Sequence, residues 1–198
     1  MKKFFKSLML ISVCLGLSAT VNAKTFRYAT TGDILGLDPH ANNEGPTNTM
    51  KGNIYGRMLH RKADLSLEPD LATKWEKLDA NTWRFSLRRG VKFHNGNDFN
   101  ADDVLFSYKR QTQEASDMSF ALATIKQINK VDDYTVDLIT KGPDPILLLN
   151  MPMFYIVDKE WIEANNAFEV VRASGSTNFA NVNTNGTGPF KVVEWIQD

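Results

Sequence analysis

Disulfide bonds are the first thing this chain has no means to make: it holds one cysteine, Cys14, among 198 residues. An exported chain so built must be held by its core alone, without a disulfide framework. Charge of one sign is also missing, with 23 Lys+Arg against 23 Asp+Glu and no basic cluster, which argues against a nucleic-acid partner. Long apolar runs are confined to the start of the chain. No G-x-S-x-G elbow occurs, and the glycine-rich stretch Gly186-Thr187-Gly188-Pro189 lacks the Gly-Lys-Ser/Thr end of a phosphate loop. The three histidines, His40, His60 and His94, never fall four residues apart as helical zinc sites require. Internal repeats and low-complexity tracts are absent as well.

What is present begins with MKKFFKSLMLISVCLGLSATVNA. Lys2, Lys3 and Lys6 precede an apolar run that closes on Val21-Asn22-Ala23, the layout of a signal peptide over residues 1–23. The run is short for a bilayer span. Cys14 follows Val13 where a lipid-anchor site wants a small residue, so cleavage before Lys24 is the expectation. Removing residues 1–23 leaves 175 residues with 20 Lys+Arg against 23 Asp+Glu, a net charge of −3. That length suits one domain or one lobe of a larger protein, expected to be soluble.

Hydrophobic periods then alternate along the chain. Residues 25–30 alternate as a half-buried strand, and TGDILGLDPH reads as an irregular loop. Met50, Ile54 and Met58 recur every fourth position, which predicts an amphipathic helix over 47–59. Trp83, Phe85 and Leu87 face one way in a strand entered through Asp79-Ala80-Asn81, and 134–138 forms a second strand after Asp132-Asp133. Residues 146–150 predict a short helical turn, 153–157 a buried strand, and Asp158 an N-cap. Residues 165–185 read as an exposed excursion and 190–196 as a last strand. Strands interleaved with helices predict an α/β lobe.

The stretch VKFHNGNDFNADDVLFSYKR (91–110) gathers a histidine and three aspartates, so it invites a metal or acid-base reading. Position by position it fits a helix start better. Asn95-Gly96 makes a tight turn, Asn100 the N-cap, Asp103 the capping-box partner, and Phe99 with Val104 a hydrophobic staple. His94 is then expected to be structural. For the 186–189 stretch the expectation is a turn whose glycines take positive φ. The competing class is a secreted hydrolase or metalloprotein with His94 and Asp98 at its centre.

Residues 67–110, LEPDLATKWEKLDANTWRFSLRRGVKFHNGNDFNADDVLFSYKR, resemble the signature of the family 5 extracellular solute-binding proteins, the peptide- and nickel-binding components of ABC importers. The shared pattern is Pro-x-Leu-Ala-x-x-Trp, a Trp/Phe/Leu strand, Arg-x-Gly-Val-x-Phe-His-x-Gly and Ala-Asp-Asp-Val. Gly186-Thr187-Gly188-Pro189-Phe190 is similar to the family's Gly-Thr-Gly-Pro-aromatic element. The resemblance implies a two-lobed, periplasmic-binding-protein-like (type II) α/β protein that closes around its ligand, of which 24–198 would be the N-terminal part of lobe I. It implies a periplasmic monomer that does no covalent chemistry, needs no cofactor and hands peptides to a membrane permease. Nickel chelates, haem, opines and oligosaccharides are the alternative ligands in the family. The ligand-lining residues are expected at Thr31, Gly32 and Asp33, with Asp33 meeting an ammonium group. Tyr155, with Met151 and Met153, would line an apolar wall.

Overall fold

The computed structural model describes residues 27, 29, 32–172 and 177–196. The leader, most of the 25–30 strand and Thr31 lie outside the described residues.

Two hairpins build the main sheet. β3 (Ala72–Lys77) and β4 (Thr82–Leu87) turn at Asp79, whose Oδ1 accepts the Asn81 N–H at 2.8 Å, and β5 (Ile125–Asp132) and β6 (Thr135–Thr140) turn at Asp132, which accepts the Tyr134 N–H at 2.7 Å. Such Asx turns replace backbone pairs at the chain reversal. The four strands run antiparallel in the order β3-β4-β6-β5, while β1 (Leu59–Arg61) and β2 (Leu67–Pro69) make a separate pair. Because side chains alternate along strands, Phe85, Leu87, Val136 and Leu138 turn one face inward. On the other face Arg84 meets its cross-strand neighbour Asp137 through two hydrogen bonds of 2.7 and 2.8 Å.

The inner face is covered by α2 (Ala101–Gln111), the connection between the hairpins, with Ala101 and Val104 fully buried. Its start is the one the sequence specifies. Asn100 Oδ1 accepts from the Asp102 N–H at 2.7 Å and Asp103 Oδ2 accepts from the Asn100 N–H at 2.9 Å, while Phe99 and Val104 join one core cluster. Fully burying each such aromatic or aliphatic side chain is worth about 1.5–3 kcal/mol. Trp75 and Trp83 are only half-buried against this core, and Lys77 lies over the Trp83 ring.

Before the sheet, α1 spans Gly45–Ile54, four residues shorter at its end than the spacing of Met58 suggests. The chain leaves the helix at Tyr55, and Gly56 then passes so near Thr187 and Leu71 that a Cβ would meet their side chains at 2.4 and 2.8 Å. Met58 is buried from the bend that leads into β1, its N–H donating to Phe154 O at 3.2 Å.

After β6 come α3 (Leu147–Asn150), a single 3-10 turn at Met151–Met153, α4 (Lys159–Ala164) and α5 (Phe179–Val182). Residues 154–157 are buried as expected, but they make one bridge, Arg57 to Tyr155, rather than a strand, and Met153 is half-buried in the 3-10 turn. Their unbroken apolarity has a plain cause. Phe154 and Ile156 enter the sheet-side core, while Tyr155 and Val157 enter a second core with Ile54, Phe106 and Ile162.

Two expectations fail. The described part of 165–185 is not exposed throughout, since Ala167, Val170, Ala180, Asn181 and Asn185 are buried between exposed neighbours such as Phe168 and Phe179. Residues 190–196 form no strand: no described strand pairs with them, and an extended chain without a partner has no ladder. Phe190, Val193 and Ile196 stand 61, 98 and 74% exposed. No described helix is long and apolar enough to cross a membrane.

Candidate functional site

His94 and Asp98 do not form a centre. The His94 N–H donates to Gly186 O at 2.9 Å, its Nε2 donates to Gly188 O at 2.9 Å, and its Nδ1 accepts from the Gly186 N–H at 3.4 Å. One neutral tautomer satisfies both ring contacts, so the ring clamps the 186–188 loop. Asp98 sits in an exposed pair with Lys92 at 2.6 Å. The clamp also explains the glycines, though not as expected. Positive φ occurs at Gly90 and Gly96, whereas Gly186 and Gly188 are needed for close approach, since a Cβ would lie 2.0 Å from Ile54 O and 2.6 Å from Asn53 O respectively.

Beside the clamp, carboxylates of Asp103, Asp158 and Glu160 come within 4.8 Å of one another. Asp158 caps α4 through the Trp161 N–H at 3.0 Å, and its Oδ2 accepts side-chain amides of Asn95, Asn97 and Asn185 at 2.9, 2.8 and 2.7 Å. Asp103 accepts from two backbone N–H groups, Asn100 and Lys159. N–H donors therefore occupy the oxygens of the two buried carboxylates, which tie the caps of α2 and α4 to the 94–97 turn and the 185–188 loop. Burial pushes Asp103 up to about 7 against the pull of these two N–H bonds, with the charges of Glu160 and Asp158 adding to the rise.

A second buried polar group escaped the sequence reading altogether. Arg110, at the end of α2, and Asp38 are both 0% exposed and meet through Nη1 to Oδ1 at 2.8 Å and Nη2 to Oδ2 at 2.5 Å. His40 joins them: its Nδ1 accepts from Arg110 at 3.0 Å, and its Nε2 donates to Tyr155 O at 3.0 Å. Arg110 Nε donates to Ala167 O at 3.1 Å, and Ser116 donates to His40 O at 2.7 Å. Burial pulls His40 down to about 3, and the Arg110 charge adds to the fall. Burial acts to raise Asp38, but Arg110 outweighs it and holds the carboxyl below its ordinary value. This knot anchors the 36–42 loop to α2. The one signal for it in the sequence was Leu-Asp-Pro-His at 37–40, an acid and an imidazole inside an otherwise irregular loop.

Of the expected ligand-lining residues, Thr31 lies outside the described residues. Gly32 and Asp33 are exposed, and Asp33 Oδ1 accepts from its neighbour Ile34 N–H at 2.7 Å. The described sheet is antiparallel, so the rule that places ligands at carboxyl ends of parallel strands does not bear on this loop. Met151 is fully buried in the core. Tyr155 and Met153 are brought together: with Asn48, Thr49, Arg57 and Arg61 they line an open recess of about 310 Å³. Gly32 and Asp33 are not part of it.

The recess is cationic. Arg57 lies 5.8 Å from the Tyr155 ring centroid, Lys51 approaches the same ring at 6.0 Å, and burial draws Lys51 down to about 8. Arg57 Nη2 donates to His60 Nδ1 at 2.9 Å, while its Nε is buried without a hydrogen-bond partner among the described residues. Asp70 Oδ2, 3.8 Å from that Nε, is beyond bonding distance.

The model of the family described as bacterial extracellular solute-binding proteins, family 5 Middle, matches residues 66–198. The chain belongs to this family. It is 31% identical over 94% of its length to the dipeptide-binding protein of Escherichia coli, covering 38% of that relative. It is 32% identical over 88% of its length to heme-binding protein A of Haemophilus influenzae, covering 35% of that one. Among solved structures it is similar to the periplasmic binding protein DppA of Helicobacter pylori in complex with the peptide STSA, at TM-score 0.72 and 30% identity, over 84% of this chain and 36% of that one. The mixed α/β fold is thus that of part of a family 5 protein, and the chain spans little over a third of the length of these relatives.

Proposed function

We propose that this family 5 chain is the lobe I part of a periplasmic substrate-binding protein that captures di- or oligopeptides and delivers them to the permease of an ABC importer. One observation carries the reading. A relative named for dipeptide binding and a solved structure holding a tetrapeptide are both about 30% identical to the chain over most of its length. The leader at 1–23 supports export, and the protein acts as a monomer. It binds and closes, and does no covalent chemistry: the residues that looked catalytic in sequence, His94 and Asp98, are spent on a loop clamp and an ion pair.

In this reading Asp33, with Thr31 and Gly32, faces the ligand's ammonium end, and Tyr155 with Met153 supplies a wall. Closure then removes the ligand from water, strengthening each polar contact. A second reading is haem capture, favoured by the similarity to heme-binding protein A. Calorimetry of the whole protein with a di- to pentapeptide library and with haemin separates them. Micromolar or tighter peptide binding with none for haemin is expected, and the reverse overturns the peptide reading. Turnover of peptide or ester substrates would overturn the non-enzymatic one.

A further inference from the structure

Three arginines in this fold show what a satisfied guanidinium looks like and what an unsatisfied one looks like. Arg84 and Arg110 each grip an aspartate with two bonds, at 2.7 and 2.8 Å on Asp137 and at 2.8 and 2.5 Å on Asp38. Arg57 has no such partner. Its side chain is only 16% exposed, yet its side-chain partners are an imidazole and the Tyr155 hydroxyl rather than a carboxylate, and the nearest carboxylate oxygen stands 3.8 Å away. Asp70 is engaged besides, its Oδ2 accepting the backbone N–H of Arg57 at 3.1 Å.

The surroundings hold Arg57 in place rather than neutralise it. Its fork lies over Gly52, where a Cβ would come within 3.7 Å of Nη2, and against the Tyr155 ring, while the accepted bond fixes His60 with its proton on Nε2, 3.8 Å from Glu68. The recess it borders contains a second arginine, the amide of Asn48 and the hydroxyl of Thr49, and no acidic residue. Arg61 is exposed and donates to Leu149 O, so it stands at the rim.

We propose that this recess binds a carboxylate of the captured ligand, gripped by Arg57 and assisted by Arg61. A planar guanidinium matches a carboxylate in geometry and charge, and a desolvated pair of this kind is roughly twice as strong as a neutral hydrogen bond. The inference rests on the capture function proposed above and adds the end of the ligand that this lobe holds.

The test uses the whole protein and matched tripeptides with neutral side chains, as free acid and as C-terminal amide, plus an amidated tripeptide carrying Glu. Wild type should prefer the free acid by about tenfold or more, Arg57→Gln should bring the ratio close to one, and Arg61→Gln, on an exposed side chain, should lower it in part. Tight binding of the amidated Glu peptide, lost in Arg57→Gln, also supports the recess and assigns the carboxylate to a side chain. A preference that survives both substitutions, or no preference at all, overturns the proposal. Should wild type bind no peptide, the peptide reading falls and the recess is judged by N-acetylglycine. A saturable shift of the Arg57 Nε–H resonance supports it, and no shift up to tens of millimolar overturns it.

Discussion

Arg110 and Arg57 differ in how completely the fold answers them. The first is enclosed with Asp38 and His40, four of its N–H groups are matched, and nothing about it faces a ligand. The second is held in position by a ring, a glycine and an imidazole, while its Nε stays unmatched and the nearest carboxylate stands 3.8 Å off at the edge of a recess. A buried charge left short of partners is expensive, so a fold that keeps one beside an opening is prepared for a partner from outside. Burial alone therefore does not distinguish an architectural charge from a binding one; the count of matched donors does.

Breaking the enclosed pair should produce the largest loss of stability. Arg110→Ala strands Asp38 and should cost about 3–5 kcal/mol in urea denaturation, whereas the paired change Arg110→Met with Asp38→Leu should recover much of that loss. If the single change costs no more than an exposed residue, the knot is not structural.

The next effect is in pH. His40 is held near 3 in the fold against an ordinary 6.5, so it binds no proton where the unfolded chain does, and its contribution is lost as pH falls below 6.5. Asp103, raised to about 7, works the other way: it stays protonated where the unfolded carboxyl has ionised, so stability is lost as pH rises from about 4 to 7. The two offset each other in wild type. Asp103→Asn should expose the histidine, with stability falling by on the order of 2–3 kcal/mol between pH 6.5 and 4, the raised carboxyl of Asp70 trimming the slope. A flat profile in that variant would show that His40 is not held neutral.

Smaller still is the cap. Asn100→Ala should cost about 1 kcal/mol in the same denaturation, because the Asp102 N–H loses its acceptor. The smallest stability effect belongs to Arg57→Gln, expected within about 0.5 kcal/mol because its contact with Asp70 is long at 3.8 Å and Asp70 keeps the backbone N–H of residue 57. Its effect should appear in ligand affinity, and a large destabilisation without a change in affinity would place Arg57 with Arg110 among the architectural charges.

Local patterns carried the parts of this fold that are local. The start of α2, the Asp158 cap, the Asx turns and β4 follow from residues within a few positions of one another, and the structure has them where the sequence reading places them. Partnerships across long separations were not legible. Arg110 and Asp38 are 72 residues apart, and Asn185 reaches Asp158 from a stretch whose Asn, Ser and Thr content suggested solvent. Met58 kept helical spacing by coincidence, and the glycines at 186 and 188 look the same in sequence whether φ or crowding requires them. Of the candidate site, Tyr155 was visible as an aromatic in an apolar run; Arg57 was not, because what marks it is a missing partner.

The central claim, capture of peptides by this family 5 protein, is tested most directly by native mass spectrometry of the whole protein purified without unfolding. Co-purified masses matching di- to pentapeptides, released on denaturation, are the predicted result. A bound haem, a metal chelate or an oligosaccharide in their place would contradict it.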